Sequence, residues 1–142
     1  MNNMSNLYRQ VIMEHYKDPR NKGLTGVGKQ NHLRNPSCGD DVTVQLDIKD
    51  GIIQDVRHIG TGCAICCSSA SVMSEVLTGK DVDEAKRIIN DYCNMIKGEE
   101  IEDEDALEEA LVYQGVAAFP ARMKCATIAW KAVEEILGEE DE

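Results

Sequence analysis

The chain has 142 residues, enough for a single domain with its own hydrophobic core. Its 26 acidic and 15 basic residues give a net charge of −11, which argues against a nucleic-acid partner because phosphate binding requires basic patches. No stretch approaches the roughly 20 apolar residues that cross a bilayer, and residues 1–9 lack the basic-then-apolar pattern of a signal peptide.

The first part of the chain predicts a helix followed by an antiparallel sheet. Residues 5–17 place apolar side chains on one helical face. Residues 42–48 and 52–59 alternate in polarity and are rich in β-branched residues, and the Asp50-Gly51 pair between them favours a tight hairpin turn. Residues 27–34 supply a third strand.

The second part of the chain has helical periodicity throughout. A helix is predicted from residue 64 to just before Gly79, and a second one follows Asp81, which suits a capping position. Residues 98–116 form an acidic insertion in which we expect a short surface helix. Pro120 is well placed as the first residue of the final helix, and residues 138–142 form an acidic tail.

These elements predict an α+β fold, in which helices pack on one face of a small antiparallel three-stranded sheet. No linker or internal repeat divides the chain, so we expect one domain over residues 1–142. We expect it in a reducing cytoplasm, where the six cysteines would more often bind metal, react or pack than form disulfides.

Cys38, Cys63 and Cys125 lie where predicted elements meet, and Asp40 follows Cys38 by two residues. The two outer ends of a hairpin lie side by side, so Cys38 and Cys63 should be close together in space. Cys125 lies near the start of the final helix and could complete the site. Three thiolates and a carboxylate are an acceptable tetrahedral set for Zn²⁺, and the same soft thiolates also suit sulfur transfer or an iron–sulfur cluster.

Zinc with three thiolates and one carboxylate would carry a formal charge of −2, which Arg122 and Lys124 could partly offset. Structural zinc sites usually use paired Cys/His knuckles, whereas these ligands are dispersed and one is a carboxylate. This pattern favours a site that can open so that one thiolate becomes a nucleophile. The alternative is that the cysteines are buried packing residues.

The remaining cysteines are better explained by packing. Cys66 and Cys67 lie in a helix of small residues, and Cys93 lies in a long helix. Cys66 also follows Cys63 at C-x-x-C spacing, which leaves a redox pair or an alternative ligand as a second interpretation.

Five segments of the chain, in this order, match one known family. They are residues 7–16, 19–23, 35–40, 60–65 and 122–126. On these segments the chain resembles the SufU-type branch of the IscU-like iron–sulfur assembly proteins. The scaffold branch of that family carries a histidine directly before its third cysteine, where this chain has Lys124. SufU-type proteins also carry an insertion before that cysteine, which residues 98–116 resemble.

The resemblance implies that Cys38, Asp40, Cys63 and Cys125 bind zinc. It further implies a zinc-dependent sulfurtransferase that acts as a second substrate of a PLP-dependent cysteine desulfurase of the SufS type. Persulfide sulfur from the desulfurase would pass to Cys38 with the help of Arg122, and then to a downstream iron–sulfur scaffold.

Two alternatives stay open at this stage. In the first, the chain is itself a scaffold, and the same three cysteines and Asp40 hold iron or an iron–sulfur cluster. In the second, the chain is a structural zinc module that docks a partner through its acidic segment, and no cysteine ever carries a persulfide.

Overall fold

The computed structural model describes residues 3–140, which form a three-stranded sheet and a set of helices. The strands are β1 (Lys29–Asn35), β2 (Asp40–Lys49) and β3 (Ile52–Thr61). The α-helices are α1 (Asn3–Lys17), α2 (Ala64–Leu77), α3 (Val82–Ile96) and α4 (Pro120–Glu140), and a 3₁₀ segment spans Asp105–Ala118. The predicted α+β architecture is confirmed.

The sheet is antiparallel throughout, with strand order β1-β2-β3. The hairpin turn lies at Asp50-Gly51, whose φ angles of 56° and 77° are those that a tight Asp-Gly turn requires. The register between β2 and β3 shifts after Asp47, so that Ile48 pairs with Ile53. Three strands with two tight connections therefore place the beginning of β2 directly beside the end of β3.

One face of the sheet carries the core, and helices α2 and α4 pack against it. Val44 and Leu46 of the central strand point into this core and are almost completely buried. Behind them, the ring of Trp130 stacks on Tyr92 with 3.8 Å between centroids and an interplanar angle of 10°. Aromatic residues are few in this chain, and the two largest are used at the centre of the core.

A buried polar node ties three helices together around this stack. The Trp130 indole N–H donates to Ser69 Oγ at 2.9 Å. The hydroxyls of Ser69 and Tyr92 both donate to the carbonyl of Ala126, at 2.7 and 2.8 Å. Because every polar atom in the node has a partner, the node fixes the position of α4 without a desolvation cost.

The opposite face of the sheet is partly covered by the loop that precedes β1. The Gln45 side chain is buried there, and its amide exchanges hydrogen bonds of 2.7 Å with the backbone N–H and C=O of Thr25. The Arg57 guanidinium donates to the carbonyl of Gly23 at 2.9 Å. The loop therefore closes over the sheet through polar contacts, and the helices pack only on the apolar face.

The acidic insertion contains a short helix as predicted, but this helix is a 3₁₀ segment that packs inward, so its placement at the surface was wrong. Residues 99–104 form a loop, and the 3₁₀ segment that follows buries Leu107, Tyr113 and Val116 in the core. The backbone kinks inside the segment at Glu108, where φ is 51°. The density of acids suggested a solvated surface, but the apolar residues among and after them pack inward.

The final helix begins at Pro120 as predicted, but it continues through Glu140, so part of the expected acidic tail is helical. Asp141 and Glu142 lie outside the described residues. None of the helices described over residues 3–140 is long and apolar enough to cross a membrane.

We expect Asp91→Ala to destabilise the protein. The buried Asp91 carboxylate accepts hydrogen bonds from the N–H groups of Glu102 and Asp103 at 3.2 and 3.1 Å, which anchors the acidic loop. Loss of these charge-assisted bonds should lower the free energy of unfolding by about 1–3 kcal/mol, measured by urea denaturation. The exposed neighbour Glu100 provides the control, and an equal effect of Glu100→Ala would contradict this explanation.

Candidate metal centre

Cys38 and Asp40 are positioned by the tight turn that connects β1 to β2. The carbonyl of Asn35 accepts hydrogen bonds from the N–H groups of Cys38 (3.2 Å) and Gly39 (2.9 Å). Gly39 adopts a φ of 74°, a left-handed conformation that glycine reaches without strain. The turn leaves the Cys38 thiol half-buried at the surface and delivers Asp40 into the interior, where only 2% of it is exposed.

Cys63 reaches the same place from the other side of the hairpin. Asp41 pairs with Thr61 in the β2–β3 ladder, so the chain leaving β3 passes next to Asp40. Cys63 occupies the N-cap position of α2, and its backbone N–H donates to Asp40 Oδ1 at 3.4 Å. A Cβ on Gly62 would stand 2.5 Å from the same oxygen, so only a glycine leaves room for the carboxylate.

Cys125 approaches from helix α4 and is completely buried. The sulfur atoms of Cys38 and Cys125 and a carboxylate oxygen of Asp40 all lie within 4.8 Å of one another. Cys63 is adjacent to this group through its backbone N–H, but its sulfur lies outside the 4.8 Å set. The structure thus brings three of the four residues predicted from the sequence within coordination range of a single ion, with the fourth beside them.

The electrostatics of the cluster favour a bound cation. Burial, together with hydrogen bonds to Asp40 and Cys38, raises the pKa of the Cys125 thiol well above its ordinary value. Arg122 lies exposed at the rim, where its hydrogen bond to Cys125 and the nearby charge of Cys63 raise the pKa of its guanidinium. Without a cation the Cys125 thiol therefore holds its proton, and Arg122 supplies a positive charge at the rim.

The donor set fits a zinc ion. Soft thiolates with one carboxylate can complete a tetrahedral site, and the pairwise separations allow a single ion to bridge them. Apart from the neighbouring Cys125 thiol, the partners of the carboxylate are distant: Asn35 Nδ2 and the Cys63 N–H each donate to it at 3.4 Å. A buried charge with such weak partners is well suited to a metal ligand.

The three histidines lie away from this cluster. His58 contacts the carbonyl of Arg20 at 2.8 Å. His15 lies between Ser71 and Glu109, at 2.7 and 3.1 Å, and joins α1 to α2 and the 3₁₀ segment. His32 contacts Asp41 at 2.7 Å on the exposed edge of the sheet.

Sequence reasoning did not identify two residues that support Asp40, namely Asn35 and Gly62. Both lie inside the cysteine motifs, but a sequence does not show which motif residue contacts which ligand.

Sequence reasoning also assigned both Cys66 and Cys67 to packing, whereas Cys66 is fully buried and Cys67 is half-buried. Their mutual hydrogen bond raises the pKa of the Cys66 thiol and lowers that of Cys67 to about 7. The packing interpretation fits Cys66 and the buried Cys93.

Comparison with known proteins places this chain in one family. The model of the NifU-like N-terminal domain matches residues 7–126. The zinc-dependent sulfurtransferase SufU of Bacillus subtilis is 40% identical over 139 residues, which cover 98% of this chain and 95% of the relative. The scaffold protein IscU of Streptococcus pyogenes is 33% identical over 137 residues, covering 96% of this chain and 86% of the relative.

A solved structure shows the same arrangement of elements. It belongs to a candidate iron–sulfur cluster assembly scaffold for the SUF system from Fervidobacterium islandicum, and it superimposes with a TM-score of 0.86 at 34% identity. The match covers 93% of this chain and 97% of the other.

We expect Gly62→Ala to disturb the centre, because the added methyl group would overlap the Asp40 carboxylate. Displacing that buried side chain should lower the free energy of unfolding by about 1–3 kcal/mol and weaken zinc binding, measured by denaturation and by competition with a chelator. Gly26→Ala is the matched control, because nothing lies within 4 Å of a Cβ added there. If the Gly62→Ala variant bound zinc as tightly as the Gly26→Ala variant, the close approach between residue 62 and the Asp40 carboxylate would be unimportant.

Proposed function

This chain belongs to the family of NifU-like N-terminal domains, and from that membership we propose that it acts in iron–sulfur cluster assembly as a zinc-dependent acceptor of persulfide sulfur. The observation that carries the proposal is the unequal exposure of the cluster. Asp40 and Cys125 are buried, whereas Cys38 and Cys63 are both half-buried, and of these two it is Cys38 that lies beside the start of α4 with the exposed Arg122. A sulfur donor can therefore approach Cys38 while the other residues hold the site.

The residues that would hold zinc are Cys38, Asp40, Cys63 and Cys125. When bound, zinc would keep the thiols deprotonated at neutral pH, since coordination strongly favours the thiolate. The contacts of Asp40 with Asn35 and the Cys63 N–H keep its carboxylate oriented toward the thiols.

Cys38 is the group that we propose reacts. Its thiolate would attack the outer sulfur of the donor persulfide, so that Cys38–S⁻ and R–S–SH give Cys38–S–SH and R–S⁻. One sulfur–sulfur bond forms as another breaks, and there is no net oxidation. Cys38 Sγ lies only 3.6 Å from the carbonyl of Ala121, at the start of α4, which sets the thiol close to Arg122.

The role that we assign to Arg122 follows from its charge. A guanidinium stays protonated at all relevant pH values and presents several N–H donors, so it can stabilise negative charge on sulfur during the exchange. It approaches from the exposed side of the cluster, which is the side open to the donor.

The donor that we propose is a PLP-dependent cysteine desulfurase of the SufS type, and the receiver is a downstream iron–sulfur scaffold. The acceptor must be a free thiol, and thiols stay free in a reducing compartment, so the proposal places the protein in the cytoplasm. All six cysteines, which lie within the described residues, are free thiols, in keeping with such a compartment.

A scaffold function is the second candidate, because the IscU relative from Streptococcus pyogenes is named as a scaffold. The same thiols and Asp40 could hold iron or a cluster as cargo. The two functions differ in what the protein gains: one sulfur atom on Cys38 in the first, and iron with labile sulfide in the second.

The test is incubation of the full-length protein with a cysteine desulfurase and L-cysteine. We expect one zinc per chain, one added sulfur atom on the tryptic segment 35–49 that contains Cys38, and faster desulfurase turnover. Cys38→Ser should lose both effects, whereas Cys93→Ser, at a buried cysteine outside the site, should keep them. Binding of iron and sulfide without stimulation of the desulfurase would instead support the scaffold function.

We expect Arg122→Gln to slow sulfur uptake on Cys38 by about tenfold, because a charge that assists the exchange is removed while the fold is untouched. Lys124→Gln is the matched control, since Lys124 is an exposed cation two residues away on the same helix. Single-turnover rates, followed by mass, separate the two variants. If sulfur uptake were slowed equally in the two variants, only the general positive charge of this helix would matter.

A further inference from the structure

A second thiol, Cys67, opens onto the protein surface away from the rim occupied by Cys38. Cys67 lies in the first turn of α2, where its backbone N–H donates to the carbonyl of Cys63 at 3.1 Å. Its sulfur lies 3.7 Å from the carbonyl of Gly62 and is half-buried. The neighbouring Cys66 is fully buried, so the two adjacent thiols have different surroundings.

Cys67 lines a small cavity between the end of α1, the edge strand β3 and helix α2. Its volume is about 80 Å³, and Tyr16, Val42, Ile59 and Ala70 form its apolar wall. A water molecule needs roughly 10–15 Å³ of such volume, so the cavity has room for one added sulfur atom or a short sulfur chain.

Two polar groups complete the cavity. Lys22 lines the same cavity as Cys67, and His58 is already engaged with the carbonyl of Arg20 at 2.8 Å. The cavity therefore combines an accessible thiol, a cation and an apolar recess, which are the features that bind and shelter a sulfur anion.

We propose that Cys67 is a second acceptor of sulfane sulfur, which it takes from small persulfides or inorganic polysulfide rather than from a protein donor. The inference goes beyond the proposed function, because it requires neither the desulfurase nor Cys38. The thiolate of Cys67 attacks the outer sulfur of R–S–SH, a new sulfur–sulfur bond forms on Cys67, and R–S⁻ leaves. The step is an exchange and needs no added oxidant.

The size of the cavity explains the choice of donor. The thiol of Cys67 lies at a recess that admits a few atoms, whereas Cys38 lies beside the exposed helix start that a protein can approach. A sulfur atom added to Cys67 would enter the apolar recess with Lys22 near its charge. Sulfur held there would be less accessible to bulky reductants than sulfur on an exposed cysteine.

The test uses the full chain with its native metal content and sodium tetrasulfide as the probe, followed by alkylation and peptide mass. The tryptic segment 58–80 contains Cys63, Cys66 and Cys67. We expect it to gain one sulfur atom in the wild type and in Cys38→Ser, but not in Cys67→Ser. Lys22→Gln should slow the gain several-fold. Cys93→Ser is the control, and melting curves of each variant verify folding.

A wild-type segment 58–80 that gains no sulfur would overturn the inference, and so would an unchanged gain in folded Cys67→Ser. A gain that disappears in Cys38→Ser would also overturn it, because the sulfur would then arrive by way of Cys38. Failure of the desulfurase experiment leaves this one unaffected, since the tetrasulfide reaction uses no protein donor.

Discussion

The burial of the Asp40 carboxylate is the constraint around which the site is organised. A carboxylate that is only 2% exposed needs polar partners, and here it has the Asn35 amide and the Cys63 N–H, both at 3.4 Å, with the Cys125 sulfur within 4.8 Å. A buried acid next to soft thiol ligands is a donor set that suits a cation. The same burial leaves little room for a side chain at position 62.

The position of Cys125 depends on the core rather than on the site. Ala126, its neighbour in α4, accepts hydrogen bonds from both Ser69 and Tyr92, and Trp130 one turn later packs against Tyr92. Three helices are therefore fixed to one another directly behind the cluster. A packed interior with the half-buried Cys38 and the exposed Arg122 at its edge suits a sulfur acceptor, since one thiol must be reachable while its neighbours stay in place.

Two cysteines near the beginning of α2 lie in different surroundings. Cys63 faces the cluster, whereas Cys67, one turn later, faces the cavity beside β3. The fully buried Cys66 lies between them, and its hydrogen bond to Cys67 makes the two adjacent thiols chemically unequal. A short run of cysteines on a helix can therefore supply separate thiols to separate places, because successive helical side chains point in different directions.

The sequence alone determined the element order, the Asp50-Gly51 hairpin and the four residues of the centre, because these depend on local patterns: periodicity, turn residues and motif positions. It could also predict that Cys38 and Cys63 meet, since a hairpin brings its ends together. Only the tertiary structure decided that Leu107 and Tyr113 of the acidic segment pack in the core, and that Cys66 is buried while Cys67 is not. Those outcomes depend on which neighbours surround each side chain. Contacts between residues far apart in the chain determine burial, and no local pattern records them.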